Sequence, residues 1–234
     1  MSQNVLVVHG GGPTAVINAS LYGVIEEAKR NPEVGKVYGA IGGTGAIFSE
    51  TFIDLTSFDD EKLKLLLHTP ASAIGSSRYP LYEKDYEKMV DIFKKHDIKY
   101  VLLNGGNGTM DACGHIYEVC KDQDIKVVGI PKTIDNDIAM TDHSPGYGSA
   151  ARFIAASTQE VGEDVKSLPI HVCIMEAMGR NAGWITAASA LARRKQGDAP
   201  HLIYLPERNF NEDEFLEECI QTSEKAGWSS SSGK

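Results

Sequence analysis

The chain has 234 residues, 42% of them hydrophobic, and is therefore long enough to bury a core of its own. Its net charge of -9 argues against a polyanionic partner such as nucleic acid, while leaving room for one basic pocket that holds a phosphorylated metabolite. The amino terminus has no basic segment, and its apolar run at residues 5–8 is too short for a signal peptide or a membrane span. These features predict a cytoplasmic protein with no membrane partner.

A short apolar strand, a glycine-rich or polar turn and an amphipathic helix alternate along most of the chain. The predicted strands lie at residues 5–8, 37–41, 100–103, 127–130, 170–175 and 202–205. The predicted helices begin near residue 14 and cover 59–68, 83–96, 110–120, 149–161, 182–193 and 212–226. This alternation predicts an α/β fold with a parallel, Rossmann-like sheet, whose ligands bind at the carboxyl ends of the strands.

The four cysteines show neither a Cys-x-x-Cys pair nor a histidine at metal-ligand spacing, so a structural zinc site is not expected. Helical spacing predicts that Cys113, Ile116, Tyr117 and Cys120 share one buried face.

A glycine-rich loop at residues 105–109 follows one predicted strand and precedes a helix. Glycines let backbone N–H groups approach an anion, and the helix amino terminus adds positive potential, so the loop is a candidate phosphate cradle. A tight strand-to-helix turn explains the same glycines equally well. Gly10, Gly11 and Gly12 follow the first strand in the same way, and two such loops at neighbouring strand ends favour the phosphate site.

The loop at residues 131–137 combines a cation, a hydroxyl group and two carboxylates. Asp135 can accept a proton from an attacking hydroxyl, Asp137 can bind a metal ion, and Lys132 can neutralise charge on a phosphoryl group. A solvated charged turn is the alternative that spacing alone leaves open.

Five motifs occur here in the same order as in phosphofructokinases, and the chain is identified as a member of that family on this resemblance. They are Gly-Gly-Pro-Thr-Ala-Val-Ile-Asn at 11–18, Gly-Ser-Ser-Arg at 75–78, Gly-Gly-x-Gly-Thr at 105–109, Pro-Lys-Thr-Ile-Asp-Asn-Asp at 131–137 and Met-Gly-Arg at 178–180. The resemblance covers nearly all of residues 5–207.

The resemblance implies a phosphoryl transfer to the C1 hydroxyl of fructose 6-phosphate, giving fructose 1,6-bisphosphate in glycolysis. Asp135 resembles the catalytic base, with Thr133, Lys132 and Arg180 completing the catalytic set. Residues that match donor-phosphate positions are Gly11, Arg78, Gly106, Asn107, Gly108 and Thr109. Residues that match sugar-phosphate positions are Thr133, Asp135, Met178, Gly179 and Arg180.

The resemblance also implies the cofactor, the assembly and the division of the chain. Asn107 and Asp137 stand where the family binds Mg²⁺, and a homo-oligomer is implied for the full-length protein. Residues 1–146 are expected to form an α/β domain that binds the donor phosphates. Residues 147–227 are expected to form an incomplete sugar-phosphate-binding α/β domain, and 228–234 a disordered tail.

The resemblance leaves the phosphoryl donor open between pyrophosphate and ATP. In this family a lysine at the position of Lys132 is typical of pyrophosphate users. Many pyrophosphate users also carry an aspartate at the position of Gly108, where it blocks the space of the α-phosphate of a nucleotide. Gly108 therefore favours ATP. The sequences of residues 104–118 and 141–152 resemble those of the bacterial pyrophosphate-dependent branch and favour pyrophosphate.

Three departures from the family pattern bear on function. Asn107 replaces an aspartate that binds magnesium in most of the family, and a neutral amide is a poorer ligand. His171 replaces an arginine that contacts the sugar phosphate of a neighbouring subunit. The later substrate residues of the family have no counterpart here, and a parallel sheet shortened near residue 227 is expected to expose apolar surface.

Two other functions compete with the enzyme hypothesis. NAD and lipid kinases share the Gly-Gly-x-Gly-Thr loop, but their resemblance does not extend to residues 131–137 or 178–180. A non-catalytic sugar-phosphate-binding homologue or an inactive fragment is suggested by Asn107, His171 and the shortened length.

Overall fold

The computed structural model describes residues 3–168 and 172–225, which leaves His171 and the predicted tail at 228–234 outside the described residues. The chain falls into two compact units that divide between Thr133 and Ile134. The domain limits inferred from the sequence, at residue 146, stay a prediction.

The first unit is built on a five-stranded sheet with the order β3-β2-β1-β4-β5. Its strands are β1 Gln3–His9, β2 Val34–Ala40, β3 Phe52–Asp54, β4 Ile98–Gly105 and β5 Lys126–Pro131. The four strands predicted in this part of the chain are confirmed, and they pair in parallel. The sheet is nevertheless mixed, because the short edge strand β3 runs antiparallel to β2.

Side chains of β1 alternate between two apolar layers, because successive residues of a strand point to opposite faces of the sheet. Leu6 and Val8 belong to one buried cluster, which the helices at 83–95 and 107–120 complete. Val5 and Val7 belong to the other, which the helix at 15–30 covers. A sheet buried on both faces explains why β1 is a continuous apolar run.

The helices of the first unit are α1 Ala15–Arg30, α2 Gly45–Phe48, α3 Asp60–Lys64, α4 Glu83–Lys95 and α5 Asn107–Cys120, with 3₁₀ turns at Leu55–Ser57 and Leu65–Leu67. The helix predicted at 59–68 is therefore divided into α3 and the second of those 3₁₀ turns. Asp59 caps α3, because its carboxylate accepts a hydrogen bond from the amide of Lys62 at 2.7 Å. Helix α5 begins three residues before its predicted start, directly after the glycine pair.

The second unit contains helices α6 Tyr147–Ser167, α7 Trp184–Ala188 and α8 Glu212–Lys225, with a 3₁₀ turn at Ser189–Ala192. The strands predicted at 170–175 and 202–205 are not formed where the structure describes them, at 172–175 and 202–205. A β-strand requires a hydrogen-bonded neighbour, and these short apolar runs have no ladder partner among the described residues.

Apolar side chains lie exposed on the second unit, as the sequence predicts. Large exposed examples are Phe153, Ile174, Met178, Trp184, Leu191 and Phe210. Within residues 3–168 and 172–225, no helix combines the length and the apolar composition that a membrane span requires.

Candidate functional site

Glycine-rich and polar segments of the first unit meet at the carboxyl edge of its sheet. Strand β1 pairs with β4 so that His9 lies opposite Asn104, and β4 pairs with β5 so that Gly105 lies opposite Pro131. The residues that follow each strand are therefore neighbours in space. This brings the loop at 10–12 beside the loop at 105–109 and beside Lys132, where a parallel sheet places its ligands.

Gly105 occupies a position that no side chain can share. A Cβ added there lies 2.3 Å from Oγ1 of Thr109 and 2.6 Å from the carbonyl oxygen of Gly10. Both distances are far below van der Waals contact, so the glycine is required for the close approach of the two loops. Gly105 thus does more than form a turn, because it permits this close packing.

The first turn of α5 directs its amides to the solvent edge of the site. Gly106 precedes the helix in an extended conformation, and the residues Asn107 and Gly108 are exposed. The first amides of a 14-residue helix have no carbonyl acceptor within the helix, and they carry the positive end of its dipole. The arrangement suits an anion such as a phosphate group.

Lys132 is a buried cation that links the two glycine loops. Its side chain is only 4% exposed, and its ammonium group donates a hydrogen bond to the carbonyl of Gly12. Its backbone amide donates to the carbonyl of Gly105 at 2.9 Å. A buried ammonium is costly without acceptors, and the carbonyl of Gly12 supplies one, so the positive charge is held at the carboxyl edge of the sheet. Thr133, the next residue, is also buried.

The segment that carries Arg78 packs against the first glycine loop. Ser76 Oγ donates to the carbonyl of Gly11 at 2.7 Å, and the amide of Gly11 donates to the carbonyl of Ser77 at 3.3 Å. The side chain of Arg78 is exposed. The structure therefore brings together Gly11, Arg78, the loop Gly106–Thr109 and Lys132. The role of this group of residues toward a phosphoryl donor stays a prediction.

His9 is a site residue that the sequence analysis did not single out. It is fully buried at the end of β1, and its Nδ1 lies 2.8 Å from Oγ of Ser72. Burial, together with the nearby charge of Lys132, lowers the pKa of His9 from 6.5 to about 4. The ring is consequently neutral at physiological pH. A histidine at the end of a buried apolar strand, directly before a glycine cluster, is the signal that sequence reasoning had available.

The loop with the predicted catalytic carboxylate belongs to the second unit, and Asn136 fixes its shape. Asn136 has a φ of 57° and is buried. Its side chain accepts a hydrogen bond from the amide of Ser144 at 2.7 Å and donates to the carbonyl of Asp142 at 3.2 Å. The carboxylates on either side differ in exposure, since Asp135 is half-buried and Asp137 is exposed.

The Met-Gly-Arg segment also belongs to the second unit. Gly179 has a φ of 116°, and a Cβ there would lie 2.3 Å from the carbonyl oxygen of Ala182, so glycine is required. Met178 and Arg180 are exposed on either side of this turn. The turn thus presents both side chains to solvent, and their role toward a sugar phosphate stays a prediction.

Few of the described side chains could bind a metal ion. Among residues 3–168 and 172–225, no group of three or more His, Cys, Asp or Glu side chains is arranged to hold a metal. The exposed carboxylate of Asp137 nevertheless fits Mg²⁺, because this ion is usually held by one or two carboxylates and by the phosphate oxygens of a substrate. Asn107 at the start of α5 offers only a neutral oxygen.

The second unit contains an apolar cleft of about 490 Å³ between α6, α8 and the segments near 174 and 202. Its described lining residues include no lysine or arginine, and most of them are aliphatic or aromatic. A phosphate group requires cations or free amides, so this cleft is not a candidate phosphate site.

The family profile described as phosphofructokinase matches residues 4–231 of this chain. The chain belongs to the phosphofructokinase family. The pyrophosphate–fructose 6-phosphate 1-phosphotransferase of Rhodospirillum rubrum is 42% identical over 225 residues, which are 95% of this chain and 55% of the relative. The enzyme of the same name from Halomonas elongata is 39% identical in an alignment of 237 positions, gaps included, that covers 97% of this chain and 57% of the relative.

Solved structures give the same result for the fold. The crystal structure of a pyrophosphate-dependent phosphofructokinase from Marinobacter aquaeolei superposes with a TM-score of 0.86 at 40% identity, and it covers 97% of this chain and 58% of that protein. The α/β, Rossmann-like phosphofructokinase fold predicted from the sequence is therefore confirmed. The chain spans little more than half the length of these phosphofructokinases.

Proposed function

We propose that this chain is the donor-binding and catalytic portion of a phosphofructokinase that uses pyrophosphate. In the proposed reaction a phosphoryl group passes from pyrophosphate to the C1 hydroxyl of fructose 6-phosphate, which yields fructose 1,6-bisphosphate and phosphate in glycolysis. The observation that carries the proposal is the buried ammonium of Lys132, held between two glycine loops at the carboxyl edge of the sheet. Relatives near 40% identity that bear the pyrophosphate-dependent name support the choice of donor.

Asp135 is the proposed base. Its carboxylate accepts the proton of the C1 hydroxyl while that oxygen forms a bond to the transferred phosphorus. The bond from this phosphorus to the bridging oxygen of pyrophosphate breaks, and the electron pair leaves with phosphate. Lys132 and Arg180 offset the negative charge on the transferred group, and Thr133 helps to hold the reacting groups.

The two glycine loops, at residues 10–12 and 105–109, form part of the proposed binding site for the phosphoryl donor. The backbone amides of Gly106 and Gly108 offer N–H groups and Arg78 offers a guanidinium group, all suited to phosphate oxygens, while Gly11, Asn107 and Thr109 belong to the same two loops. Asp137 is the proposed ligand of a Mg²⁺ ion that is otherwise held by donor oxygens, with Asn107 as a weaker contributor. When bound, the ion neutralises part of the charge of the donor.

ATP is the second candidate donor, and one observation favours it. A Cβ added at Gly108 meets no atom within 4 Å, so open space remains where an aspartate of many pyrophosphate users would stand. The ATP-dependent 6-phosphofructokinase of Teredinibacter turnerae is 27% identical over 93% of this chain. The lower identity leaves pyrophosphate as the preferred donor.

A coupled assay with fructose 6-phosphate and each donor in parallel, with and without a chelator of Mg²⁺, tests the proposal. Turnover with pyrophosphate that stops on chelation supports it, and turnover with ATP alone supports the second donor. Binding of fructose 6-phosphate without turnover by either donor favours a non-catalytic homologue. A cytoplasmic location and homo-oligomeric assembly at full length are parts of the same proposal.

A further inference from the structure

We propose that His9 and Asn18 are positioning residues of the donor site, which fix from the protein interior the loop that carries Arg78. In this view they set the affinity for the phosphoryl donor without touching it. The inference rests on the proposed function, because it takes the segment at residues 69–78, called the Arg78 loop below, to be part of the donor site.

The Arg78 loop has neither helical nor strand structure in the described chain. Its backbone groups must therefore find partners in other segments. Ile74 anchors the loop in the apolar layer under α1, where it is 3% exposed, and its carbonyl accepts from the amide of Gly42 at 2.8 Å. Ala71 has a φ of 62°, which is strained for a residue with a side chain and needs external support, whereas Gly75 adopts its φ of 74° without strain.

Asn18 supplies most of that support from helix α1. Its side-chain amide donates to the carbonyls of Thr69 at 2.8 Å and Ala71 at 3.1 Å, and its side-chain oxygen accepts from the amide of Ala73 at 2.8 Å. Asn18 is fully buried, in the helix that covers one apolar layer of the sheet. One side chain thus satisfies three backbone groups of the loop.

His9 supplies a second fixed point through Ser72. The hydroxyl of Ser72 donates to the carbonyl of Gly75 at 2.7 Å, so the contact of 2.8 Å with His9 Nδ1 requires Nδ1 to carry the proton. His9 therefore acts as a neutral donor to the loop. A protonated ring would place a second buried cation near Lys132, which electrostatic repulsion disfavours.

The clamped segment leads directly into the donor loops. Four residues after Ser72, Ser76 bonds to the carbonyl of Gly11, and Ser77 forms an isolated parallel bridge with Gly10. A shift of the Arg78 loop would therefore disturb the glycine loop at 10–12. Apolar residues at positions 9 and 18 would continue the buried layer without a polar desolvation cost, so the polar choice indicates a positioning role.

Calorimetric titration of pyrophosphate into the 234-residue chain, at constant Mg²⁺, tests this inference. Ser72→Ala removes the link to His9, and Asn18→Asp removes two donors at nearly constant volume. We expect each to weaken pyrophosphate binding by about tenfold and to speed amide exchange at Ala73 and Gly75. His9→Asn keeps a donor near the Nδ1 position, and we expect it to retain most of the affinity.

Asn4→Ala is the matched control. Asn4 lies at the amino end of β1, the strand that carries His9 at its other end. Its side chain donates a hydrogen bond to the carbonyl of His96 and accepts one from the amide of Lys36. We expect its loss to leave pyrophosphate affinity unchanged. Wild-type affinity in folded Ser72→Ala and Asn18→Asp overturns the inference while leaving the proposed function intact. If the wild-type chain binds neither pyrophosphate nor ATP, both the proposed function and this role are overturned. The amide exchange rates at Ala73 and Gly75 would still show whether His9 and Asn18 hold the Arg78 loop in place.

Discussion

Thr109 packs its side chain against the backbone of Gly10, so that a Cβ at Gly10 would lie 2.3 Å from Oγ1 of Thr109. This contact joins the ends of β1 and β4, from which both glycine loops start. We predict that Gly10→Ala lowers the free energy of unfolding by about 1–3 kcal/mol, because the added methyl group forces the loops apart. Urea denaturation followed by circular dichroism measures the change.

Gly12→Ala is the control for that substitution, since a Cβ at Gly12 meets no atom within 4 Å. Its effect on the free energy of unfolding should stay within about 0.5 kcal/mol. Thr109→Ala removes the clashing side chain, so the double variant Gly10→Ala with Thr109→Ala should be more stable than the sum of the single effects indicates. Strict additivity would show that the clash does not limit the approach of the loops.

His9 should make the stability of the fold sensitive to acid. Its pKa is about 4 in the folded chain and 6.5 for an ordinary histidine, so the unfolded chain binds the proton more tightly. The stabilisation is complete above pH 6.5 and is lost as the pH falls toward 4. The pKa difference corresponds to an amount on the order of 3 kcal/mol. Urea denaturation at several pH values across this range measures the loss.

His9→Asn separates this contribution from that of the carboxylates. The variant cannot titrate at position 9, so its stability should fall less than that of the wild type between pH 6.5 and pH 4. Parallel curves for the two proteins would mean that His9 does not carry the effect. The assignment of a buried neutral imidazole would then be wrong.

The sequence predicts those elements whose character is local. Valine and leucine runs followed by glycines identify β1 and β4. Strand β3 was missed because it has three residues and depends on its antiparallel partner. The opposite error occurs at 202–205, where an apolar run without a ladder partner forms no strand. Pairing is a long-range property, which a run of residues does not encode.

Side-chain burial shows the same division. Cys113, Ile116 and Cys120 are buried as predicted, but Tyr117 is 50% exposed. Tyr117 lies about 100° around the helix axis from Ile116, at the other edge of this face, where half of its surface remains exposed. The sequence likewise predicts the glycine loops and Lys132 but not His9 or Asn18. Their partner, the Arg78 loop, lies more than fifty residues away, and only the fold brings them together.

Asp135 is expected to act in the transition state rather than in binding. We predict that Asp135→Ala lowers kcat about 10²–10⁴-fold and leaves the affinity for fructose 6-phosphate within a small factor. Asp142→Ala is the matched control, because Asp142 is an exposed carboxylate of the same loop. Steady-state kinetics and calorimetry measure the two quantities. A near-normal rate in Asp135→Ala would remove Asp135 from the role of base.

Gly108 is expected to decide how well a nucleotide is accepted. The open space at its Cβ means that Gly108→Asp adds a carboxylate without a clash, and a negative charge in the first turn of α5 is compatible with the helix dipole. That carboxylate would fill the space that the α-phosphate of ATP needs and would repel its negative charge. Pyrophosphate has no such group. We therefore predict that kcat/KM with ATP falls at least about tenfold further than kcat/KM with pyrophosphate, which is the cost of one like-charge contact in a partly desolvated site.

Gly114→Asp is the control for the added charge. Gly114 lies on the exposed part of the same helix, and a Cβ there also meets open space. Equal losses with both donors would show that the space beside Gly108 does not receive the nucleotide.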